Sequence, residues 1–376
     1  MGAVLFTQCS KWWIVYAIIA LIMVILGRSV TNINFFISRL PYYIIPIMGY
    51  FVVRHYNVKE LKLLVAFISI VFFANLFYNI GLWNVMPEIF EEQESTEVSI
   101  QYGIMMNLAD TQFVAVCMFV IGVAFMLFMN TTGFWKRMFY LSVGVVSGFF
   151  ILFVTLRATA VLLLGVMTLG MIMAFFEPHK INVRPYYFKM SLLLIIVSSF
   201  IAVPLLIWIL QNTESVRLAE RLEDVISFSN GKGDINSLSE GSMAQRFALA
   251  QTSLNTFFSS PLNMLIGIGD HTVSFGMDLH KSGIGNHSEF IDILARYGII
   301  GAFVFIGILK SYYKSLKSLS SDRSIIKYVN IIFFVFIIYG FLNLVFSPML
   351  EMFLFTVFPG IIKILSAKRQ NNILQR

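Results

Sequence analysis

The segment at residues 149–164 reads FFILFVTLRATAVLLL, an apolar run with a single charged residue, Arg157. Stretches of roughly 17–25 mostly apolar residues are long enough to span a bilayer core, and this segment joins two of them, at 138–156 and 158–176. An arginine within hydrocarbon is costly, so Arg157 is expected at the membrane surface, in a tight turn between two helices. The segment therefore predicts a transmembrane helical hairpin.

The whole chain follows the same pattern. Its 376 residues are 58% hydrophobic and 12% charged, with a mean hydropathy of +0.81, which is typical of a chain whose main solvent is lipid. We predict an all-α, polytopic integral membrane protein with about ten transmembrane helices, near residues 12–27, 35–53, 61–82, 104–129, 138–156, 158–176, 190–211, 288–309, 325–346 and 349–366. Prolines in the second and tenth segments leave open that either is tilted, broken or re-entrant.

The distribution of charge predicts the orientation. Short basic segments at residues 54–62, 136–137, 180–189, 310–327 and 363–376 all lie on one side of a ten-helix arrangement, whereas the loop at 83–103 contains five glutamates and no Lys or Arg. Cytoplasmic loops are enriched in Lys and Arg, so both termini are predicted to be cytoplasmic. A basic face on an anionic leaflet accounts for most of the net charge of +7, and no nucleic-acid partner is needed.

The organisation of the chain follows from these segments. We predict seven transmembrane helices over residues 1–211, a large extracytoplasmic loop over 212–287, and helices eight to ten with a cytoplasmic tail over 288–376. The two cysteines, Cys9 and Cys117, lie in or beside different segments and have no metal-ligand spacing. We therefore predict no metal site and no cofactor.

The large loop contains short amphipathic helices in this interpretation. One is predicted within residues 213–226. Another follows Ser242, a residue type that caps helices, and ends before Pro261; its apolar residues repeat at helical spacing, at Met243, Phe247, Ala250, Leu254 and Phe257. This helix would lie on the membrane surface or cap the membrane helices. Arg246 in its first turn is either an anion-binding residue or a solvated arginine, and the later Gly267-Ile268-Gly269 is weak evidence for phosphate binding.

The run from Gly285 to Gly301 contains the strongest candidates for catalytic or binding residues. Here His287, Glu289, Asp292 and Arg296 stand where the polar loop enters a membrane helix. Ionisable residues at such a position are a functional-site hypothesis by default. Glu289 and Asp292 could orient the imidazole or bind acceptor sugars, or could simply form hydrogen bonds with loop backbone.

Three motifs in this chain resemble a known family. The pattern His287-Ser288, nine residues, Gly298, two residues, Gly301 resembles the signature of bacterial O-antigen polymerases (Wzy) and O-antigen ligases. Residues 155–159, with Arg157, resemble the arginine-bearing segment of that family, and residues 245–269 resemble the external helix that precedes its histidine. The similarity covers roughly residues 150–310; residues 1–140 match only as a series of membrane segments.

The resemblance implies a metal-independent glycosyltransferase with a GT-C-like membrane fold, acting at the periplasmic face of the bacterial inner membrane. Its donor would be an oligosaccharide linked to undecaprenyl pyrophosphate, and its transfer reaction would be of the hexosyltransferase type. The matching positions assign pyrophosphate binding to Arg157 and Arg246, with Arg217 and Arg221 as weaker helpers, and the general-base role to His287. Histidine suits this role because its ordinary pKa lies near physiological pH.

The polymerase and the ligase share the motif. Residues 285–298 resemble polysaccharide polymerases more than ligases, so polymerisation of lipid-linked repeat units is the preferred function, and transfer of polymer to lipid A-core is the alternative. A flippase or other transporter is a second alternative, although transporters tend to show internal repeats and broken helices at the membrane midplane. Family analogy alone suggests a chain-length regulator and a flippase as partners, besides membrane lipids.

Overall fold

The computed structural model describes residues 8–28, 33–85, 111–155, 158–176, 243–270 and 283–374. Within these ranges the structure is helical, with no strand. Six helices are long and apolar enough to cross a membrane, and Cys9–Ile25 and Leu162–Ala174 are shorter apolar helices. The chain is thus an α-helical, multi-pass membrane protein, as the sequence predicts. The number of ten transmembrane helices and the GT-C-like arrangement remain predictions.

The helices are numbered here in chain order. They are α1 (Gln8–Ile25), α2 (Ile33–His55), α3 (Val58–Val85), α4 (Thr111–Asn130), α5 (Phe134–Phe149), which continues as a π-helix (Phe150–Thr155), α6 (Ala158–Phe176), α7 (Met243–Phe258), α8 (Pro261–Ile266), α9 (Glu289–Ser318), α10 (Arg323–Leu342), α11 (Pro348–Met352), a second π-helix (Phe353–Val357), and α12 (Phe358–Leu374). Nine of the ten predicted segments coincide with helices in their described parts; the seventh, at 190–211, lies outside the described residues.

The two proline-containing segments are continuous helices. Helix α2 runs unbroken through Pro41 and Pro46. In the last segment the π-helix ends two residues before Pro359; proline cannot donate a backbone hydrogen bond, and a wider turn accommodates it. The carbonyl of Leu354 in this turn accepts a hydrogen bond from the Tyr312 hydroxyl at 2.5 Å. The broken and re-entrant arrangements that the prolines left open are not observed.

Helix α9 is the centre of the described bundle. It packs against α1 and α10 within the membrane region, and against α7 and α8 at its N-terminal end. Its ring contacts with α1 include the edge-on pair Tyr16 and Tyr297, whose centroids are 5.3 Å apart. Trp13 of α1 and Phe305 of α9 both contact Phe346. Buried aromatic pairs of this kind add to the free energy of area burial, so the N-terminal part of α9 is firmly held.

Polar contacts gather at the two ends of the bundle. At one end, Arg28 after α1 donates to the side-chain oxygen of Asn263 in α8 at 2.7 Å. At the opposite end, Lys363 donates to three carbonyl groups at the C-terminal end of α2, and Arg369 donates to Asn130 at 2.7 Å and pairs with Asp322. The candidate site lies at the Arg28 end.

Candidate functional site

The turn that leads into α9 is shaped by backbone requirements. Ser288 is the N-cap, and its hydroxyl accepts a hydrogen bond from the Ile291 amide at 3.4 Å. Asn286 has a φ of 54° and is the only described non-glycine residue with positive φ, a conformation that asparagine tolerates. At Gly285 a Cβ atom would lie 2.2 Å from the Leu249 carbonyl oxygen. Glycine is therefore required there, and the turn has one defined shape.

Arg296 is the centre of a buried polar cluster. Its guanidinium, only 6% exposed, lies 3.4 Å from Glu289 and 3.5 Å from Asp270 and donates to the Asn286 side chain at 2.6 Å. The other oxygen of Asp270 accepts from the Tyr297 hydroxyl at 2.7 Å. A buried charge is tolerated only when it is paired and hydrogen-bonded, and Arg296 meets this condition with three different partners. It ties the loop at residue 270 and the turn at residue 286 to one helix.

The two predicted carboxylates bond to loop backbone. Glu289 is 3% exposed, and its second oxygen accepts from the amides of Val345 and Phe346 at 3.2 and 3.5 Å. Asp292 is fully buried and accepts from the Ser253 hydroxyl at 2.6 Å and from the Ser288 amide at 3.2 Å. Of the two roles that the sequence left open, the described contacts correspond to backbone hydrogen bonding.

Ser253 connects this cluster to helix α7. Besides donating to Asp292, its hydroxyl accepts from the Gly285 amide at 2.9 Å. The buried face of α7 consists of Leu249, Ser253 and Phe257, while Phe247 is 63% exposed. The helix is confirmed, and it ends before Pro261 as predicted. Of the predicted apolar stripe, Phe257 is buried, Ala250 and Leu254 are half-buried and Phe247 is exposed, so the packed face is only partly the predicted one. The polar Ser253 occupies the centre of that face because Asp292 and Gly285 satisfy it.

The glycine positions of the motif have local structural roles. Gly298 has φ 61° and ψ −158° and introduces a kink within α9; at this kink the carbonyls of Ala295 and Arg296 accept from the amides of Ile268 and Gly269 at 2.9 and 2.8 Å. At Gly301 a Cβ atom would lie 2.1 Å from that of Tyr297. Both glycines therefore have structural roles. Their observed roles are a backbone kink with a docked loop and space for a tyrosine ring.

The Gly267-Ile268-Gly269 loop is not a phosphate cradle. The amide of Gly267 donates to the Asn263 carbonyl at 2.8 Å, and the next two amides donate to helix α9. A phosphate-binding loop needs amides that point at the ligand, and these three are already bonded within the protein. The loop instead fixes α8 against the kink of α9.

His287 lies at the edge of this cluster and is partly exposed, whereas the next two residues, Ser288 and Glu289, are buried. Its Nδ1 atom is 3.0 Å from the Asn286 carbonyl oxygen. A carbonyl can only accept a hydrogen bond, so in the neutral ring the proton is on Nδ1 and the lone pair is on Nε2. The arrangement leaves the more distal ring nitrogen as the basic one.

The structure brings together His287, Glu289 and Asp292 of the predicted site residues. Arg157, Arg217 and Arg221 lie outside the described residues, and Arg246 falls in the first turn of α7 with its side chain outside them. Within the described ranges, no group of three or more His, Cys, Asp or Glu side chains could hold a metal ion.

The sequence predicts no role for four members of the cluster, which are Asp270, Asn286, Ser253 and Tyr297. Arg296 is a candidate only as one of the ionisable residues at the start of the helix. Arg296 stands four residues after Asp292 and seven after Glu289, a spacing that places the three on one helix face and could have indicated their pairing. Asp270 and Ser253 come from distant parts of the loop and carry no such signal.

Together the helices and the cluster define a multi-pass membrane protein with a buried, charged polar site at one end of its central helix. No protein-family model matches the chain, and no curated protein is significantly similar to it. Its function must therefore be inferred from its own residues.

Proposed function

We propose that the protein is a membrane-embedded glycosyltransferase of the O-antigen polymerase type, which joins oligosaccharide units carried on undecaprenyl pyrophosphate. The observation that supports this proposal most directly is the presentation of His287. The residue is partly exposed at the start of α9, and its Nδ1 contact with Asn286 leaves the lone pair on Nε2. A general base needs a ring nitrogen that can take up a proton near working pH, and a neutral histidine supplies one.

The reaction would be a single displacement. A hydroxyl oxygen of the acceptor sugar attacks the anomeric carbon of the donor chain, and the carbon–oxygen bond to the pyrophosphate breaks. The hydroxyl proton passes to His287 Nε2, and the undecaprenyl pyrophosphate leaves with the electron pair. The product is a longer chain on the acceptor's lipid pyrophosphate, and the proton on the imidazole is later released to water.

The leaving pyrophosphate gains negative charge, so the reaction needs cationic groups near it. We assign this role to Arg157 and Arg246, with Arg217 and Arg221 assisting. Support for Arg246 comes from its helix: Leu249 and Ser253, one and two turns further along α7, contact Gly285, two residues before His287.

Arg296 is a poor candidate for pyrophosphate binding, although it is a cation that contacts the turn. Its guanidinium is buried and engaged with Asp270, Glu289 and Asn286. We assign it, with Glu289 and Asp292, to positioning: these residues hold the turn that presents His287. The acceptor would be recognised by other groups.

The test is a surface-polysaccharide ladder on a gel from cells that lack the gene and are complemented at matched membrane abundance. We expect the wild type to restore the ladder and His287→Asn to fail, because an asparagine amide can still donate to the Asn286 carbonyl but cannot act as a base. His55→Asn is the matched control, because His55 lies at the C-terminal end of α2, beside the Lys363 contacts, at the opposite end of the bundle. It should restore a full ladder.

Other results would redirect the proposal. Long lipid-linked polymer without attachment to lipid A-core would identify the alternative, a ligase. Accumulation of lipid-linked units on the cytoplasmic side would identify a transporter. A fully active His287→Asn variant would refute the base role.

A further inference from the structure

A second surface at this end of the bundle consists of residues that the proposed reaction does not use. We call it the outer apolar patch; it comprises exposed residues from three helices. Their exposed fractions are 63% for Phe258, 51% for Leu262 and Leu265, 52% for Ile299, 42% for Ile300 and 66% for Phe303. Contiguous apolar surface of this kind marks a site of contact with another apolar phase or partner.

The patch is continuous across α8 and α9. Leu262 and Leu265 are three residues apart and share one face of α8, and Ile299, Phe303 and Ile306 share one face of α9. The two faces meet at the kink, since a Cβ atom on Gly298 would lie 2.5 Å from the Leu265 carbonyl. On α9 the same face continues as Ile306, 61% exposed, within a helix long and apolar enough to cross a membrane.

The composition of the segment is unusual for a loop in water. From Phe247 to Gly269 there is no Asp, Glu, Lys or Arg. A helical hairpin bathed in solvent on all outer faces is normally rich in charge, and this one instead turns Phe and Leu side chains outward. Its uncharged surface matches the lipid-facing surface of α9.

The hairpin is also held in a fixed position. Arg28 at the end of α1 donates to Asn263, the Ser260 hydroxyl caps α8 through the Asn263 amide, and the amides of Ile268 and Gly269 donate to α9. The patch is thus part of the membrane domain and not a loosely attached appendage.

We propose that the outer apolar patch contacts the acyl chains of the adjacent bilayer leaflet, so that α8 and the end of α7 lie within the membrane interface and not in water. The occupant is bilayer lipid because the patch continues the lipid-facing face of α9 without a charged residue between them. This inference does not depend on the glycosyltransferase proposal. One consequence is that the turn at His287 lies at the depth of the lipid headgroups.

The test uses nitroxide labels on single introduced cysteines. The native Cys9 and Cys117 are both buried, so Leu262→Cys, Leu265→Cys and Phe303→Cys can be labelled selectively in the folded protein. The matched control is Asn255→Cys, an exposed polar position on α7. Each variant is reconstituted in phosphatidylethanolamine–phosphatidylglycerol vesicles, and its collisions with oxygen and with a water-soluble nickel chelate are compared by power saturation.

We expect the labels at 262 and 265 to collide more with oxygen than with the chelate, as the label at 303 does, and the label at 255 to show the reverse. Equal behaviour of the labels at 262 and 255, with the chelate dominant, would place α8 in water and overturn the proposal. Low collision rates with both reagents at 262 and 265 would show that protein covers the patch, and would overturn it as well. Unchanged thermal unfolding of the four variants verifies that each label reports on the native fold.

Discussion

Replacing Gly298 by alanine should destabilise the protein strongly. The residue has φ 61° and ψ −158°, a region that only glycine populates readily, and a side chain there costs about 1–3 kcal/mol. In addition, the new methyl group would lie 2.5 Å from the carbonyl carbon and oxygen of Leu265 and 2.6 Å from the Ile266 nitrogen. Backbone atoms cannot move aside as a side chain can, and overpacking of this kind costs about 1–3 kcal/mol.

The combined loss is about 2–6 kcal/mol, a large part of the 5–15 kcal/mol that typically stabilises a folded protein. At about 2 °C per kcal/mol, the lower end of the range for domains of about 150–250 residues, the melting midpoint should fall by about 4–12 °C. The native cysteines provide the assay, because Cys9 and Cys117 are 3% and 0% exposed. A fluorogenic maleimide added to detergent-solubilised protein reacts with them only on unfolding.

Gly165→Ala is the matched control. Gly165 lies within α6, and a Cβ atom there would have no neighbour within 4 Å. Alanine in a helix is more stable than glycine by about 0.5–1 kcal/mol, so this variant should melt at or slightly above the wild-type midpoint. If Gly298→Ala melts together with Gly165→Ala, the kink and the docked loop do not contribute to stability as described.

Three further substitutions, at two buried charged residues, are tested with the same thiol assay. Arg296→Met should lower the free energy of unfolding by about 3–5 kcal/mol, because it leaves buried carboxylates without their counter-charge. Arg296→Lys should lower it less. Equal melting of wild type and Arg296→Met would contradict the ion-pair cluster. Glu351 is fully buried in α11, and neither of its carboxyl oxygens has a hydrogen-bond partner among the described residues. Glu351→Gln keeps its shape without a charge, so we expect equal or higher stability than the wild type, since burying an unpaired carboxylate is costly; a drop as large as that of Arg296→Met would reveal a partner that the carboxylate needs.

Much of the architecture could be predicted from local sequence. Apolar segments of membrane-spanning length mark the helices, and Pro261 marks the end of α7, because these signals depend on neighbouring residues alone. The same kind of signal predicted the packed face of α7 only in part. A buried serine is invisible to an apolar-periodicity argument when its partner, Asp292, lies 39 residues away.

The polar cluster was predictable only in part. The charges of α9 were noticed because they interrupt an apolar helix. Their partners come from elsewhere. Glu289 accepts hydrogen bonds from the amides of residues 345 and 346, which lie in the non-helical connection between α10 and α11. Long-range hydrogen bonds of this kind depend on how three helices meet, and no spacing in a single sequence encodes that.

The motif itself now separates into two kinds of residue. Ser288 caps α9, Gly298 forms the kink, and Gly301 leaves room for the Tyr297 ring, so folding alone would explain why these residue types stand at these positions. His287 is different, because capping the helix, forming the kink and leaving room for the ring are done by the other three residues and do not need an imidazole. Three of the four motif residues are therefore weak evidence for chemistry, however well they match a pattern. The functional claim depends on the histidine, and a substitution that preserves its Nδ1 contact while removing the base is the experiment that separates the two explanations.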